Sequence, residues 1–241
     1  MRPTVDIVIP VLNEEATIEL NVGIILEFLE KELAGRYDYT LIVADNGSTD
    51  DTAVITGKLI SQHSDKLRYL KVDRRGVGLA LKTAWIDSKA EFVGYMDLDM
   101  ATDLCHIPAA LALFSTNNSD VIYGTRLHKD STVIGRTIKR EITSRIFNYI
   151  VQVYLGTKFS DGMCGFKFLR KEHLNSIIKN GAQSDGWFFC TELLVVSEWF
   201  GLRVDELPVK WTDDPNSKVN IKKLALEYIS AMKELKRVKQ R

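Results

Sequence analysis

Residues 91–103 read EFVGYMDLDMATD, an apolar run that ends abruptly in Asp97-Leu98-Asp99. The run FVGYM is typical of a buried β-strand. On an extended backbone, residues i and i+2 share a face, so Asp97 and Asp99 are predicted to point together into a cleft while Leu98 turns into the core. Paired carboxylates suit a hard divalent cation such as Mg²⁺ or Mn²⁺. A turn with two solvated aspartates fits the same sequence. Only the surrounding fold can distinguish a metal site from such a turn.

The first half of the chain alternates between apolar strands and amphipathic helices. Strands are predicted at residues 6–12, 40–44, 67–72, 91–96 and 120–124, and helices at 14–33, at about 52–62 and at 77–88, with Asn13 as the N-cap of the first helix. This alternation indicates a parallel sheet with helices on both faces. In such sheets ligands bind beyond the carboxyl ends of the strands. The polar clusters PVLNEE, ADNGSTDD and DLDMATD follow the first, second and fourth strands.

Composition excludes several classes of protein. The 241 residues include 32 basic and 32 acidic side chains, so a broad nucleic-acid-binding surface is not expected. The three cysteines are widely spaced and lack a CxxC pair, which favours reduced thiols in a cytosolic setting. No signal-peptide pattern and no apolar stretch of about 18 residues is present. We therefore expect a cytoplasmic protein that is soluble or peripheral on the cytoplasmic face of a membrane.

Five motifs occur in a recognisable order: IPVLNEE, VADNGSTDDT, MDLDMATD, YGTR and DGMCGFKFLRK. In this order the chain resembles the GT-A fold glycosyltransferases of family 2, and most of all the polyprenyl-phosphate (dolichol-phosphate) glucosyl- and mannosyltransferases. The late segment TELLVVSEWFGLRVDELPVKWTDDPNSKVN is also similar to those enzymes, so the resemblance covers nearly the whole chain. It implies an α/β GT-A fold with a Rossmann-like, mostly parallel sheet. It also implies one domain over 1–241, with a nucleotide-sugar-binding half (1–125) and an acceptor-binding half (126–241).

The resemblance also implies roles for individual residues. Asp97 and Asp99 match the motif that binds the donor diphosphate through Mg²⁺ or Mn²⁺, and Arg126 matches an arginine near the phosphates. Asp161 matches a recurrent acidic position and is a secondary catalytic candidate. The nucleotide-sugar-binding positions are Pro10, Leu12, Glu14, Asp45, Asn46, Asp97, Leu98, Asp99 and Lys218.

A helix predicted near residues 135–155 has two distinct stripes. Arg136, Arg140 and Ser144 recur every four residues and form a polar stripe. An apolar stripe, roughly opposite, consists of Ile138, Ile142, Ile146 and Ile150. The pattern fits a surface helix with solvated arginines, and it equally fits a helix that binds a phosphate on one side and packs or touches lipid on the other. The resemblance favours the second, with Arg126, Arg140 and Ser144 binding the acceptor phosphate.

The implied reaction is metal-dependent, inverting transfer of a hexose from a nucleotide sugar to a polyprenyl or dolichyl phosphate. Leu12, Ala101 and Asp214 depart from the residues frequent in mannosyltransferases, which favours a UDP-sugar such as UDP-glucose over GDP-mannose. A phosphate acceptor is largely anionic at neutral pH because its second pKa is about 6, so a strong general base is not essential.

Several alternatives stay open from the sequence. The chain could be a catalytically silent nucleotide-sugar binder or scaffold, or a glycosyltransferase with a soluble or glycan acceptor. A dinucleotide-dependent oxidoreductase is disfavoured because GVGLAL lacks the third glycine of GxGxxG. The C-terminal segment predicts an amphipathic helix, with apolar positions Ile221, Leu224, Leu226, Ile229, Met232 and Leu235. A solvated tail fits its last turn; the apolar face favours docking on a membrane surface, and a hydrophobic partner subunit is an alternative anchor.

Overall fold

The computed structural model describes residues 2–213 and 221–239, without the side chains of 221–226. Its strands are β1 (Thr4–Val11), β2 (Asp38–Asp45), β3 (Leu67–Lys71), β4 (Phe92–Met96), β5 (Val121–Thr125), β6 (Thr132–Ile134), β7 (Phe166–Arg170), β8 (Val204–Pro208) and β9 (Lys210–Thr212). Its helices are α1 (Ile18–Leu33), α2 (Thr52–Gln62), α3 (Val77–Asp87), α4 (His106–Thr116), α5 (Ile138–Leu155), α6 (Lys171–Lys179), α7 (Phe189–Trp199) and α8 (Ile221–Lys239).

Apolar residues on both faces of the strands create the two layers on which the helices pack. In β1, Ile7 and Ile9 face a core formed with α1, α2 and α4, whereas Val8 faces a core formed with α3 and α5 to α8. All three side chains are fully buried. A strand that is apolar on both faces is stable only between two layers of helices, and the predicted arrangement is confirmed.

The main sheet has the strand order β3-β2-β1-β4-β7-β5-β8. β1 pairs in parallel with β2 and β4, as does β2 with β3 and β5 with β8. β7 is antiparallel to both of its neighbours, β4 and β5. The sheet is therefore mostly parallel, as predicted. Because β7 is antiparallel to both β4 and β5, all five strands of the first half run in the same direction, as expected; the insertion of β7 between β4 and β5 was not predicted.

The start of the first helix also differs from the prediction. α1 begins at Ile18 rather than at residue 14, and Asn13 is not its N-cap. Asn13 has a left-handed backbone (φ 57°), and its side chain bonds the loop after β2 instead of a helix N-terminus. A capping pattern was misleading here because the same polar side chains join two loops.

The C-terminal helix packs its apolar side into the protein. Tyr228, Met232 and Leu235 on α8 are buried, and the Tyr228 ring contacts Phe147 of α5 and Phe188. Ile229, predicted on the same apolar face, is 46% exposed. Tyr228, Met232 and Leu235 therefore stabilise the core, so docking on a membrane surface was a wrong expectation for Met232 and Leu235.

Gly94 on β4 provides a test of the β4–β7 packing. A Cβ at this position would lie 2.2 Å from Cδ1 of Phe168, its partner on β7. We expect Gly94→Ala to lower the free energy of unfolding by about 1–3 kcal/mol through overpacking. Gly57→Ala, in α2 with no atom within 4 Å of the added Cβ, is the control and should raise it by about 0.5–1 kcal/mol. Urea unfolding measures both, and an unchanged midpoint for Gly94→Ala would contradict this packing.

Candidate active site

The loops after β1 and β2 are joined by hydrogen bonds at the carboxyl edge of the sheet. Thr49 N donates to Asn13 Oδ1 (2.8 Å), and Asn13 N donates to Ser48 Oγ (2.9 Å). Glu14 N donates to Thr52 Oγ1 at 2.8 Å. These contacts fix one wall of the cleft. Glu14, one of the predicted donor-site residues, is half-buried in this wall.

Asp45 and Asn46, the predicted second donor segment, are almost fully buried. The two Asp45 oxygens accept hydrogen bonds from Ser48 N (2.7 Å) and from the Tyr69 hydroxyl (2.6 Å). Asn46 Oδ1 accepts from Gly76 N at 2.6 Å, at the start of α3. Each carboxylate oxygen keeps a lone pair beyond these bonds, so Asp45 can still accept a hydrogen bond from a ligand.

Pro10 and Leu12 lie at the end of β1, directly beside this pair. Pro10 is in register with Ala44, and Val11 is in register with Asp45. Both Pro10 and Leu12 are half-buried. The first and second predicted donor segments therefore lie side by side on adjacent strands.

The Asp97-Leu98-Asp99 turn lies at the end of β4, next to β1. Leu98 is 6% exposed and packs in the core, whereas Asp97 is half-buried and Asp99 is exposed. Asp99 Oδ1 accepts a hydrogen bond from Ala101 N (2.9 Å), which stabilises the turn. The alternation predicted from the extended backbone is present, with the carboxylates on the cleft side.

The Asp97 carboxylate is only partly compensated: burial and Asp99 outweigh the nearby cations Lys167 and Arg126, which lower its pKa. Within the described residues its carboxylate accepts no hydrogen bond, and burial together with the neighbouring Asp99 raises the pKa of Asp97 to about 7. Gly165 approaches so closely that a Cβ there would lie 1.8 Å from Asp97 Oδ2. Only a glycine leaves room for this carboxylate.

These features fit a divalent cation. Two adjacent carboxylates, one of them destabilised as an anion, would be stabilised by Mg²⁺ or Mn²⁺. Across the described residues, no group of three His, Cys, Asp or Glu side chains forms a complete metal cage. Mg²⁺ commonly uses one or two carboxylates and takes its other ligands from water and substrate phosphates, so the pair is sufficient for such a site.

Arg126 and Asp161 form a buried, bidentate ion pair across the cleft floor. Arg126 Nε and Nη2 donate to the two Asp161 oxygens at 2.7 and 2.9 Å, and Arg126 N donates to Oδ2 at 3.1 Å. Asp161 is fully buried, and the Arg126 guanidinium outweighs the effect of burial to lower the pKa of Asp161 to about 2. Asp161 therefore holds Arg126 in place and has no exposed atom with which to contact a reactant.

The predicted acceptor residues lie on and beside α5. The Arg140 guanidinium pairs with Asp213 (Nη1 to Oδ1, 2.5 Å), and Ser144 Oγ accepts a hydrogen bond from Arg136 Nη2. Trp211 connects this region to the cleft floor, because the Arg126 guanidinium carbon lies 5.2 Å from its ring centroid. Lys218 and Asp214, both named from the sequence, lie outside the described residues.

Sequence reasoning missed two residues of the site, Gly165 and Trp211. Gly165 lies in the DGMCGFKFLRK motif, but the motif does not reveal that this glycine lies against Asp97. Trp211 pairs with Val133 in the β6–β9 ribbon and with Thr102 just after the Asp97-Leu98-Asp99 turn. Neither position has a periodic signal in the sequence, because both contacts join segments that are far apart along the chain.

Comparison with known families agrees with this geometry. The family model described as glycosyl transferase family 2 matches residues 6–178, which include the β1, β2 and β4 loops and the Arg126–Asp161 pair. The chain belongs to glycosyl transferase family 2. The predicted enzyme class, a glycosyltransferase, is confirmed by this membership.

The chain is similar to two curated relatives over most of its length. It is 32% identical to glycosyltransferase AglD of Haloferax volcanii over 90% of this chain, but spans only 34% of that relative. It is 27% identical to a dolichyl-phosphate beta-glucosyltransferase of Dictyostelium discoideum, covering 89% of this chain and 68% of the relative.

A solved structure confirms the fold. Glucosyl-3-phosphoglycerate synthase from Mycobacterium tuberculosis, in complex with Mn²⁺, UDP-glucose and phosphoglyceric acid, superposes with a TM-score of 0.68 at 20% identity. The match covers 98% of this chain and 80% of that one. The predicted α/β GT-A fold is thus confirmed.

The Arg126–Asp161 pair yields a prediction about stability. Asp161→Ala should lower the free energy of unfolding by about 3–5 kcal/mol, because it leaves the Arg126 charge buried without its partner. Glu234→Ala breaks the exposed Arg237–Glu234 pair and should change it by less than about 1 kcal/mol. Because its pKa is lowered, Asp161 stabilises the fold above about pH 4, and this contribution is lost as the pH falls toward about 2. Denaturant unfolding of both variants at pH 7 measures the difference, and equal losses would contradict the assigned role.

Proposed function

We propose that the chain transfers a hexose from a nucleotide sugar to a polyprenyl or dolichyl phosphate with inversion at the anomeric carbon. The observation that supports this most is the position of α5. Its first turns lie beside the cleft that contains Asp97 and Arg126, while Ile138, Ile142 and Ile146 on the same helix are 79%, 52% and 55% exposed. A helix with cations toward a cleft and apolar side chains toward the outside suits a lipid phosphate better than a soluble acceptor.

Residues 1–125 supply the donor half of the site. Pro10, Leu12, Glu14, Asp45 and Asn46 bind the nucleoside, and Leu98 supports the turn below the diphosphate. Asp97 and Asp99 would hold Mg²⁺ or Mn²⁺, which would neutralise charge on the departing nucleoside diphosphate. We retain Lys218, which lies outside the described residues, as a donor-site residue on the basis of the sequence resemblance.

Residues 126–241 supply the acceptor half. The acceptor phosphate is an anion at neutral pH, and its oxygen can attack the anomeric carbon directly, so the bond to the nucleoside diphosphate breaks on the opposite face. Arg126, held by Asp161, places a permanent positive charge beside the phosphates. Arg140 and Ser144 bind the acceptor phosphate. Because the acceptor phosphate is already an anion, the reaction needs no general base to deprotonate it.

UDP-glucose is our preferred donor, with GDP-mannose as the alternative. The departures at Leu12 and Ala101 from residues frequent in mannosyltransferases favour it, and so do relatives named dolichyl-phosphate beta-glucosyltransferase. The structural relative in complex with UDP-glucose and Mn²⁺ is consistent with the same donor class.

The direct test is transfer from a panel of UDP- and GDP-sugars to farnesyl phosphate, with 3-phosphoglyceric acid as a soluble acceptor. We expect metal-dependent transfer to the prenyl phosphate, an α-linked donor giving a β-linked product, and a loss of at least about 100-fold in Asp99→Ala. Asp103→Ala, in the next turn of the chain, is the matched control and should keep most of the activity.

Three results would contradict the proposal. Donor binding without turnover would identify a catalytically silent binder. Transfer to 3-phosphoglyceric acid alone would identify a soluble acceptor, and metal-dependent turnover by Asp99→Ala would exclude the metal site.

We further propose that the apolar side of α5 rests on a membrane surface. Tyr149 and Val153 extend the exposed isoleucine stripe along the helix, at 66% and 67% exposure. No helix in the described part of the chain has the length and apolar character needed to cross a bilayer. A peripheral amphipathic helix places the neighbouring cleft at the membrane surface, where a lipid phosphate lies. The cytoplasmic face and the alternative of a hydrophobic partner subunit stay predictions.

Liposome co-sedimentation tests this surface. The double variant Ile142→Glu and Ile146→Glu should weaken binding to anionic vesicles by at least about tenfold. Full burial of one isoleucine side chain contributes roughly 1.5–3 kcal/mol, so even partial burial of two side chains accounts for a loss of this size. Leu20→Glu, on α1 with a 67% exposed side chain, should bind vesicles as wild type does. Equal binding by the double variant and the wild type would exclude α5 as the contact surface.

A further inference from the structure

Arg136 is a buried cation whose hydrogen-bonding capacity is only partly used. Its side chain is only 6% exposed, and its Nη1 atom is buried without a hydrogen-bond partner. Glu141 Oε2 lies 3.1 Å from Nη1, which makes an ion pair, but the oxygen lies off the N–H directions. A buried charged donor without an acceptor costs free energy, so its persistence needs an explanation.

Glu141 does not neutralise Arg136 by itself. The same carboxylate pairs with Arg145, whose Nε lies 2.6 Å from Glu141 Oε1. One negative charge is thus shared between two guanidinium groups. Burial lowers the pKa of Arg136, and the neighbouring Arg126 guanidinium lowers it further, while the carboxylates of Glu141, Asp161 and Asp213 oppose this shift.

Trp211 holds two of these cations together. The guanidinium carbons of Arg126 and Arg136 lie 5.2 and 5.8 Å from the centroid of its ring. The face of an indole ring attracts a guanidinium group, but it occupies none of the N–H donors of the guanidinium and does not neutralise its positive charge. Trp211 therefore brings two arginines near each other while both remain able to bind an anion.

The ring is fixed relative to the metal-binding turn. Trp211 forms a β-bridge with Thr102, and Thr212 N donates to Ala101 O at 2.8 Å. These contacts follow Asp99 by only two and three residues. The positions of Arg126 and Arg136 are therefore coupled to the turn that contains the two carboxylates.

We propose that Arg136 is a further ligand of the acceptor phosphate and that Trp211 is its positioning residue. This inference rests on the proposed function and adds a binding residue that the resemblance did not indicate. Arg136 Nη2 donates to Ser144 Oγ, which leaves the Ser144 hydroxyl proton free to donate. A phosphate monoester accepts from Arg136 Nη1 and from Ser144 at once, and its charge balances the excess cation.

Fluorine NMR on the full chain tests the site without requiring turnover. The four tryptophans are labelled as 5-fluorotryptophan, and the Trp211 signal is assigned by its loss in Trp211→Phe. Farnesyl phosphate should shift the Trp211 signal in the wild type. In Arg136→Ala its affinity should fall about 10- to 150-fold, as expected for a hydrogen bond to a charged group, while UDP affinity is unchanged.

Arg145→Ala is the matched control, because Arg145 lies on α5 and its guanidinium pairs with Glu141, the same carboxylate that pairs with Arg136. It should bind farnesyl phosphate within about twofold of the wild type. Arg136→Lys should recover only part of the affinity, since an ammonium lacks the planar fork. Trp211→Phe should retain more affinity for the acceptor than Trp211→Leu, and in steady state both should raise KM for the acceptor more than they lower kcat.

The outcomes separate this inference from the proposed function. If farnesyl phosphate binds Arg136→Ala as tightly as the wild type, or if UDP instead shifts the Trp211 signal, the inference is wrong even when the wild type transfers sugar. If the wild type binds farnesyl phosphate at Trp211 but transfers no sugar to it, the inference stands and the proposed reaction fails.

Discussion

The site depends on one buried carboxylate. Asp161 is fully enclosed, and its two oxygens accept three hydrogen bonds from Arg126. The pair joins the end of β5 to the loop before β7, and that loop also includes Gly165, which contacts Asp97. A buried charge must be paired, so the protein cannot move either group without a large cost in free energy. The position of the Arg126 guanidinium relative to the carboxylates of Asp97 and Asp99 follows from this constraint.

Much of the fold followed from local patterns. The five strands of the first half and their helices were predicted from apolar runs and 3.6-residue periodicity, because such strands are buried on both faces and such helices on one. The position of Leu98 in the core, between two carboxylates on the cleft side, followed from the two-residue period of a strand. These features depend on neighbours along the chain, so one sequence is enough to reveal them.

What the sequence did not reveal depends on distant contacts. The sequence showed β7 only as part of a motif, because FKFLR is short and its antiparallel partners lie 44 to 78 residues earlier along the chain. The polar residues after β1 predicted a helix cap, but they bind the loop after β2. The α8 residues Met232 and Leu235 indicated an amphipathic surface helix, but the cover they provide for the core could not be inferred from periodicity. Periodicity identifies an apolar face and says nothing about what packs on it.

The central position of β7 has a consequence for how the chain folds as it is synthesised. β4 receives its second neighbour only when residues 166–170 have left the ribosome, and both neighbours of β5 come later in the chain than β5 itself. Until then these two strands have unpaired backbone edges of the kind that template aggregation. The strands that present Asp97 and Arg126 are therefore among the last to gain all their neighbours, so a nascent chain has the loops after β1 and β2 before it has a complete cleft.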